Sequence, residues 1–152
     1  MRANHTLDAL LKEQPKFHGR ESAGVKNFAI QPPVLRWIID NNAGGITSLE
    51  TGCGYSTIIL SLLSKEQIVI SPFVEEHNLI KKWCDSHGIE LSHVKFCEEL
   101  SQDALPKLEN TPLDFVLIDG DHAFPGPFLD WYYTADRIRL GGLVAVDDTQ
   151  II

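Results

Sequence analysis

The chain has 152 residues, of which 43% are hydrophobic and 22% are charged, the composition of an ordinary globular protein rather than a collagen-like or disordered one. Its 21 acidic residues outnumber its 13 lysines and arginines, and the formal net charge of −8 argues against a nucleic-acid partner, which would need a basic surface. No apolar run reaches the roughly 20 residues that cross a bilayer, and the first residues lack a signal-peptide core, so no membrane partner is expected.

Length and cysteine content predict a single domain with free thiols. A chain of this size can bury one hydrophobic core. Its cysteines, Cys53, Cys84 and Cys97, are odd in number and form no CxxC pair, so neither a disulfide framework nor a thiolate zinc site is expected. This pattern fits a reducing compartment, and we predict a soluble cytoplasmic protein.

In chain order, the first element is an extension over residues 1–30. Its first 25 residues are polar, and Pro15, Gly19 and Gly24 interrupt them, which predicts a short helix followed by a loop. The main domain is expected over residues 31–152. It begins with a helix at Gln31-Pro32-Pro33, because proline is tolerated in a first helical turn, and this helix ends before Gly44-Gly45.

The rest of the chain alternates between strands and helices. Apolar spacing predicts strands over 46–50, 67–71, 93–97, 113–118 and 143–146. It predicts helices over 56–64, 75–87, 101–108 and 131–139, and a turn at Gly141-Gly142. Strands separated by helices in this way form an α/β sheet with right-handed crossovers.

A glycine-rich turn follows the first predicted strand. Gly52 and Gly54 are one residue apart, which permits a tight turn whose backbone approaches a ligand ahead of a helix. A dinucleotide fingerprint needs a third glycine where this sequence has Thr57. Glu50 would also repel a pyrophosphate, whereas it suits a ligand that carries an ammonium group or hydroxyls.

Acidic residues also follow the fourth and fifth predicted strands. The fourth ends in Asp119-Gly-Asp-His122, directly after an apolar run, and the fifth ends in Asp147-Asp148. Carboxylates at such positions are costly unless they are solvated, paired or bound to a ligand. Because ligands bind beyond the carboxyl ends of the strands in these sheets, the pattern indicates a binding site at that edge.

Together these segments resemble a known family. The acidic-x-Gly-x-Gly pattern that begins at Glu50 is similar to the first motif of class I S-adenosylmethionine-dependent methyltransferases. Residues 114–122 (DFVLIDGDH) resemble the fourth-strand motif, and Asp130-Trp131 with 140–148 (LGGLVAVDD) resembles the helix and strand that follow it. The combination looks like the small-molecule branch with an IDGDH…GG…DD signature. It implies a Rossmann-like, doubly wound sheet with parallel strands in the order 3-2-1-4-5.

The resemblance implies S-adenosylmethionine as the cofactor. Gly52 and Gly54 would let the turn approach its methionine part, and Glu50 would help to hold its amino end. The implied cofactor-binding residues are Glu50, Gly52, Cys53, Gly54, Tyr55, Ser56, Ser71, Glu99, Ser101, Asp119 and Gly120. Ser101 would also serve as the N-cap of a short helix.

One position departs from the family pattern. An acid that grips the ribose hydroxyls is expected after the second strand, where this sequence has Ser71. A serine can still form a hydrogen bond, and Glu75 or Glu76 could reach back from the next helix. Acids are also favoured in a first helical turn because they complement the helix dipole.

Metal and catalytic roles are predicted at the acidic strand ends. Asp119, Asp147 and Asp148 would form an oxygen-rich cluster of the kind that suits Mg²⁺, Mn²⁺ or Ca²⁺, and the resemblance to metal-dependent O-methyltransferases implies the same. Helix capping or bound water would also explain these acids. His122 is the candidate general base, with Asp121 beside it, because imidazole titrates near neutral pH. No comparable carboxylate neighbourhood is expected for the other histidines, His5, His18, His77, His87 and His93.

The leading prediction is an enzyme that transfers a methyl group from S-adenosylmethionine to a hydroxyl of a small molecule. Two alternatives stay open: an NAD-dependent oxidoreductase, against which Thr57 and Glu50 count, and a non-catalytic or truncated cofactor-binding domain. The second rests on length, since the family usually has strands 6 and 7 after the fifth and this sequence ends at Ile152. The fifth strand would then be an exposed apolar edge, which favours a homo-oligomer.

Overall fold

The structure is a computed structural model that describes residues 2–18, 30–147 and 149. Its helices are α1 (Arg2–Glu13), α2 (Pro32–Asp40), α3 (Tyr55–Leu63), α4 (Val74–Ser86), α5 (Ser101–Ala104) and α6 (Gly126–Thr134). Its strands are β1 (Ile46–Thr51), β2 (Ser64–Ile70), β3 (Val94–Cys97), β4 (Leu113–Ile118) and β5 (Ile138–Val146). Short 3-10 turns follow α5 at Leu105–Lys107 and α6 at Ala135–Arg137.

The strands form one parallel sheet in the order β3-β2-β1-β4-β5. This confirms the predicted α/β, Rossmann-like fold and its strand order. The sheet has a hydrophobic core on each face, and the side chains of β4 alternate between them. Phe115 and Leu117 lie in one core, and Val116 and Ile118 lie in the other. Burial on both faces explains why this strand is a nearly continuous apolar run in the sequence.

Helices cover both faces of the sheet. The larger core contains residues of α1 to α4, such as Leu35, Ile58 and Ile80, whereas Ala104 and Leu105 contribute to the smaller core on the opposite face. Within residues 2–18 and 30–147, no helix combines the length and the hydropathy needed to cross a membrane.

The N-terminal helix packs into the larger core. Leu7 and Leu10 of α1 are fully buried there. Beyond the helix, Phe17 is 3% exposed and meets the ring of Tyr55 edge to face, with 5.7 Å between the ring centroids. The segment over residues 15–18 therefore lies against the start of α3. The loop predicted after the first helix falls mostly on residues 19–29, outside the described residues.

Two predictions near the last strand are wrong. α6 begins at Gly126 rather than at 131, because Pro127 occupies a first turn where proline is tolerated, and the helical residues end at Arg137. β5 already begins at Ile138 and runs through the predicted glycine turn. Its pairing with β4 shifts register there, from Leu113–Ile138 to Phe115–Leu143, so residues 139–142 form an irregular bulge.

Backbone hydrogen bonds continue past the ends of the strands. The residue that follows β1, β4 or β5 donates its N–H to the last residue of a neighbouring strand. These bonds run from Gly52 to Ile70 at 2.8 Å, from Asp119 to Thr51 at 3.0 Å and from Asp147 to Ile118 at 3.0 Å. The carboxyl edge of the sheet is thus a connected shelf of main chain. β5 forms the outer edge of the sheet, where Leu140 is fully exposed, and association through this edge stays a prediction.

Candidate functional site

A cavity of about 550 Å³ opens beyond the carboxyl ends of β1, β2 and β4. Sheets of this kind bind ligands at this edge, and the volume is typical of small-molecule sites. The predicted site residues that line it are Gly52, Ser71, Ser101, Asp119, Gly120, Asp121 and His122. Further lining residues are His18, Thr51, Ile70, Pro72, Phe73, Glu76, Leu100 and Gln102.

The floor of the cavity is bare main chain where β1 and β4 end. Gly52 has a φ of +91°, and a Cβ atom on it would lie 2.3 Å from the carbonyl oxygen of Asp119. A Cβ atom on Gly120 would lie 3.3 Å from Cβ of Thr51. Only glycine fits at position 52, because the left-handed conformation and the contact both exclude a side chain. Both glycines also line the cavity, so a ligand there meets main chain rather than a side chain.

Glu50 lies behind this turn rather than on the cavity wall. It is 1% exposed, and its carboxylate accepts hydrogen bonds from Ser56 Oγ at 2.8 Å and from Gln67 Nε2 at 3.2 Å. Burial raises the pKa of Glu50 to about 7, and hydrogen bonds from neighbouring side chains oppose that rise. In the structure Glu50 ties the end of β1 to the first turn of α3, and its role toward a ligand stays a prediction.

Several other predicted cofactor-binding residues do not line the cavity. Tyr55 is 9% exposed and donates its hydroxyl hydrogen to the carbonyl oxygen of Pro15 at 3.1 Å. Glu99 is exposed and pairs with Lys107 on the surface. The predicted cofactor-binding residues outside the cavity lining are Glu50, Cys53, Gly54, Tyr55, Ser56 and Glu99.

The sequence prediction for two histidines is wrong. His18 was expected to have no carboxylate neighbourhood, but its Nδ1 lies 3.2 Å from Oε2 of Glu76, and both residues line the cavity. His87 likewise meets Glu13, with 3.1 Å between Nε2 and Oε1, on the surface away from the cavity. A lone histidine in a polar segment carries no signal of its tertiary partner, so sequence reasoning could not find the His18 contact.

The structure brings the predicted catalytic pair to the cavity wall. Asp121 and His122 follow β4 and both line the cavity. Oδ1 of Asp121 accepts a hydrogen bond from the backbone N–H of Ala123 at 3.0 Å, which fixes the turn after the strand. A Cβ atom on Gly126 would lie 2.8 Å from the carbonyl oxygen of Asp121, so the start of α6 packs closely on this loop.

Asp130 is a buried acid near the cavity for which the sequence predicts no binding or catalytic role. Asp130 of α6 is 0% exposed, and neither carboxylate oxygen has a hydrogen-bond partner among the described residues. Burial raises its pKa, with the hydroxyls of Ser101 and Thr51 nearby and acting in the opposite direction. The Thr51 hydroxyl is also buried without a partner among those residues. Asp130 belongs to a motif of the sequence, but the spacing of that motif does not indicate that the side chain is buried.

The described residues do not support the predicted metal site. They contain no group of three histidine, cysteine, aspartate or glutamate side chains placed to hold a cation. Asp119 lines the cavity but Asp147 does not, and Asp148 lies outside the described residues. We therefore derive no step of the chemistry through a metal ion.

Comparison with known proteins identifies a family whose model matches most of this chain. Residues 49–149 match the family model described as a methyltransferase domain. The comparison with curated protein sequences gave no significant match.

Solved structures share the fold at low sequence identity. A precorrin-8w decarboxylase of Methanobacterium thermoautotrophicum is 18% identical with a TM-score of 0.62, over 80% of this chain and 67% of that one. A precorrin-6y methyltransferase of Geobacter metallireducens is 15% identical with a TM-score of 0.63, over 84% and 68%. A 16S rRNA methyltransferase of T. thermophilus, solved with AdoMet and guanosine, is 15% identical with a TM-score of 0.62, over 83% of this chain but 36% of that one.

Proposed function

The chain belongs to the methyltransferase domain family, and we propose that it uses S-adenosylmethionine to methylate a hydroxyl of a small molecule. The observation that carries this proposal is the cavity at the carboxyl edge of the sheet, where bare glycine backbone meets acidic and imidazole side chains. Solved relatives in fold that hold AdoMet or SAH support the choice of cofactor.

The cavity has groups suited to each part of this cofactor. The main chain of Gly52 and Gly120 lines the cavity, and the methionine part would lie against it. Phe73 and Leu100, which are 36% and 47% exposed, offer apolar surfaces to an adenine ring. When bound, S-adenosylmethionine supplies a methyl group on a sulfonium, an excellent leaving group, so orientation of the acceptor accounts for much of the acceleration.

We assign proton handling to the loop after β4. His122 lines the cavity within reach of an acceptor that enters there, and its imidazole can take the proton of an attacking hydroxyl. Asp121 is fixed by its bond to Ala123 and sets the course of this loop. Phe124 and Phe128, which are 89% and 63% exposed, follow this loop outside the cavity lining and would suit an acceptor whose apolar body extends beyond the cavity.

The proposed acceptor is a small molecule rather than RNA. The net charge of −8 favours a small molecule over RNA, because phosphates would be repelled. Structures of similar fold nevertheless include rRNA methyltransferases as well as precorrin enzymes, so the predicted absence of a nucleic-acid partner is not supported by them. The experiment must therefore include RNA.

Calorimetry and methyl-transfer assays test the proposal together. We expect S-adenosylhomocysteine to bind and NAD not to bind, and we expect transfer of labelled methyl to a member of a panel of phenols and sugars. The panel is run with Mg²⁺ and with EDTA, and RNA is assayed in parallel. Binding of NAD alone would overturn the cofactor; transfer to RNA would overturn the acceptor; binding without any transfer would support a non-catalytic cofactor-binding domain instead.

A further inference from the structure

We propose that Glu76, held in place by His18, binds the ribose hydroxyls of the cofactor, an inference that rests on the proposed function. The end of β2 lacks the acid that the family pattern has for this task. Ser71 stands there instead, and its Oγ accepts a hydrogen bond from the backbone N–H of Phe73 at 3.4 Å. A neutral hydroxyl with this contact cannot offer the two acceptor oxygens of a carboxylate to a diol.

Glu76 brings a carboxylate to the same wall of the cavity from the first turn of α4. The residue is 8% exposed and lines the cavity together with Ser71. The preceding residue, Glu75, is exposed and lies outside the cavity lining. One helical turn therefore presents one acid to the cavity and one to the surface.

The contacts of Glu76 leave one of its oxygens available. Cys53 Sγ donates to Oε2 at 3.5 Å, and His18 Nδ1 lies 3.2 Å from the same oxygen. Oε1 receives no hydrogen bond from a described residue. Since a carboxylate has roughly four acceptor positions, Oε1 can accept hydrogen bonds from neighbouring hydroxyls while Oε2 stays fixed.

His18 acts as a positioning residue that comes from outside the sheet. Its segment is anchored on α3, because Tyr55 donates to the carbonyl oxygen of Pro15 and packs edge to face on Phe17. Nε2 of His18 also lies 3.4 Å from the place of a Cβ atom on Gly54, so the ring covers the glycine turn. His18 is thus a cavity residue that lies outside the family match over residues 49–149.

The first experiment measures binding of S-adenosylhomocysteine and of its 2′,3′-dideoxy analogue by calorimetry. The wild type should prefer the natural ligand about tenfold, as expected for hydrogen bonds to a charged group. E76Q should lose about tenfold affinity for the natural ligand and none for the analogue. The matched control E75Q, one residue away on the surface, should bind both ligands as the wild type does.

A rescue variant keeps the test decisive if E76Q is poorly stable. The double variant S71D/E76Q restores an acid at the strand end and should recover the preference for the ribose hydroxyls. H18A should weaken binding of the natural ligand severalfold, with no further effect in the E76Q background, whereas H5A on the exposed face of α1 should have none.

The outcomes separate this inference from the proposed function. Wild-type binding that E76Q leaves unchanged, or an E76Q loss that is equal for both ligands, would overturn the ribose assignment and leave the methyltransferase proposal standing. Failure of the wild type to bind either ligand would overturn both.

Discussion

Neutralising Glu50 should stabilise the protein at alkaline pH. Its carboxyl group is enclosed between β1 and α3, and burial raises its pKa from an ordinary 4.5 to about 7. Between these values the folded protein binds more protons than the unfolded chain does, so its stability falls as the pH rises through this window and stays at the lower level above it. The difference between these two pKa values corresponds to ~3 kcal/mol, at roughly 1.36 kcal/mol for each tenfold change in proton affinity.

The assay is urea unfolding of the wild type and of E50Q at several pH values from 5 to 8. Gln keeps the hydrogen-bonding shape but does not ionise, so E50Q should gain on the wild type as the pH rises, by most of that ~3 kcal/mol. E66Q, at an exposed position of β2, is the control and should follow the wild type. Parallel pH profiles for the wild type and E50Q would refute the reasoning, because they would show that Glu50 does not titrate in this range.

Three further predictions concern the turn, the loop and the N-terminal segment. G52A should unfold at a lower temperature than G88A. Both glycines have a positive φ, where a side chain costs ~1–2 kcal/mol, but only at Gly52 would the added Cβ atom also strike a backbone oxygen. Equal melting temperatures of the two variants would contradict this contact. H122N should keep its affinity for S-adenosylhomocysteine while methyl transfer falls by roughly 10²–10⁴, and unchanged turnover would remove His122 from the mechanism. Y55F should lose ~1 kcal/mol of stability in a thermal melt because Pro15 loses its donor, and a larger loss would mean that the ring has shifted.

Periodicity and glycine placement predict most of this fold because they act locally. β4 was identified with its observed bounds, since a strand buried on both faces needs an uninterrupted apolar run. The glycine turn was identified because the left-handed conformation at Gly52 requires that residue type. The last strand was misjudged at Gly141-Gly142, where a bulge and a turn use the same residue type.

The site was predicted less completely because its geometry depends on tertiary contacts. Asp121 and His122 were found, since a charged group directly after a buried strand must lie at the sheet edge. Glu50 matched a motif, but whether its side chain faces the cavity or α3 depends on the partners that Ser56 and Gln67 provide. His18 could not be found because nothing near it in the sequence indicates that Glu76 would be its neighbour.

The main-chain shelf at the carboxyl edge also determines which parts of this site can diverge. Its floor is held by the same hydrogen bonds that align the strands, from Gly52 to Ile70 and from Asp119 to Thr51, so any displacement there would unpair the centre of the sheet. The loop after β4 has no such bond to a neighbouring strand at Phe124. New acceptor preferences can therefore arise by substitution in the outer part of this loop while the cofactor floor stays unchanged, which makes it the place to begin in redesigning specificity.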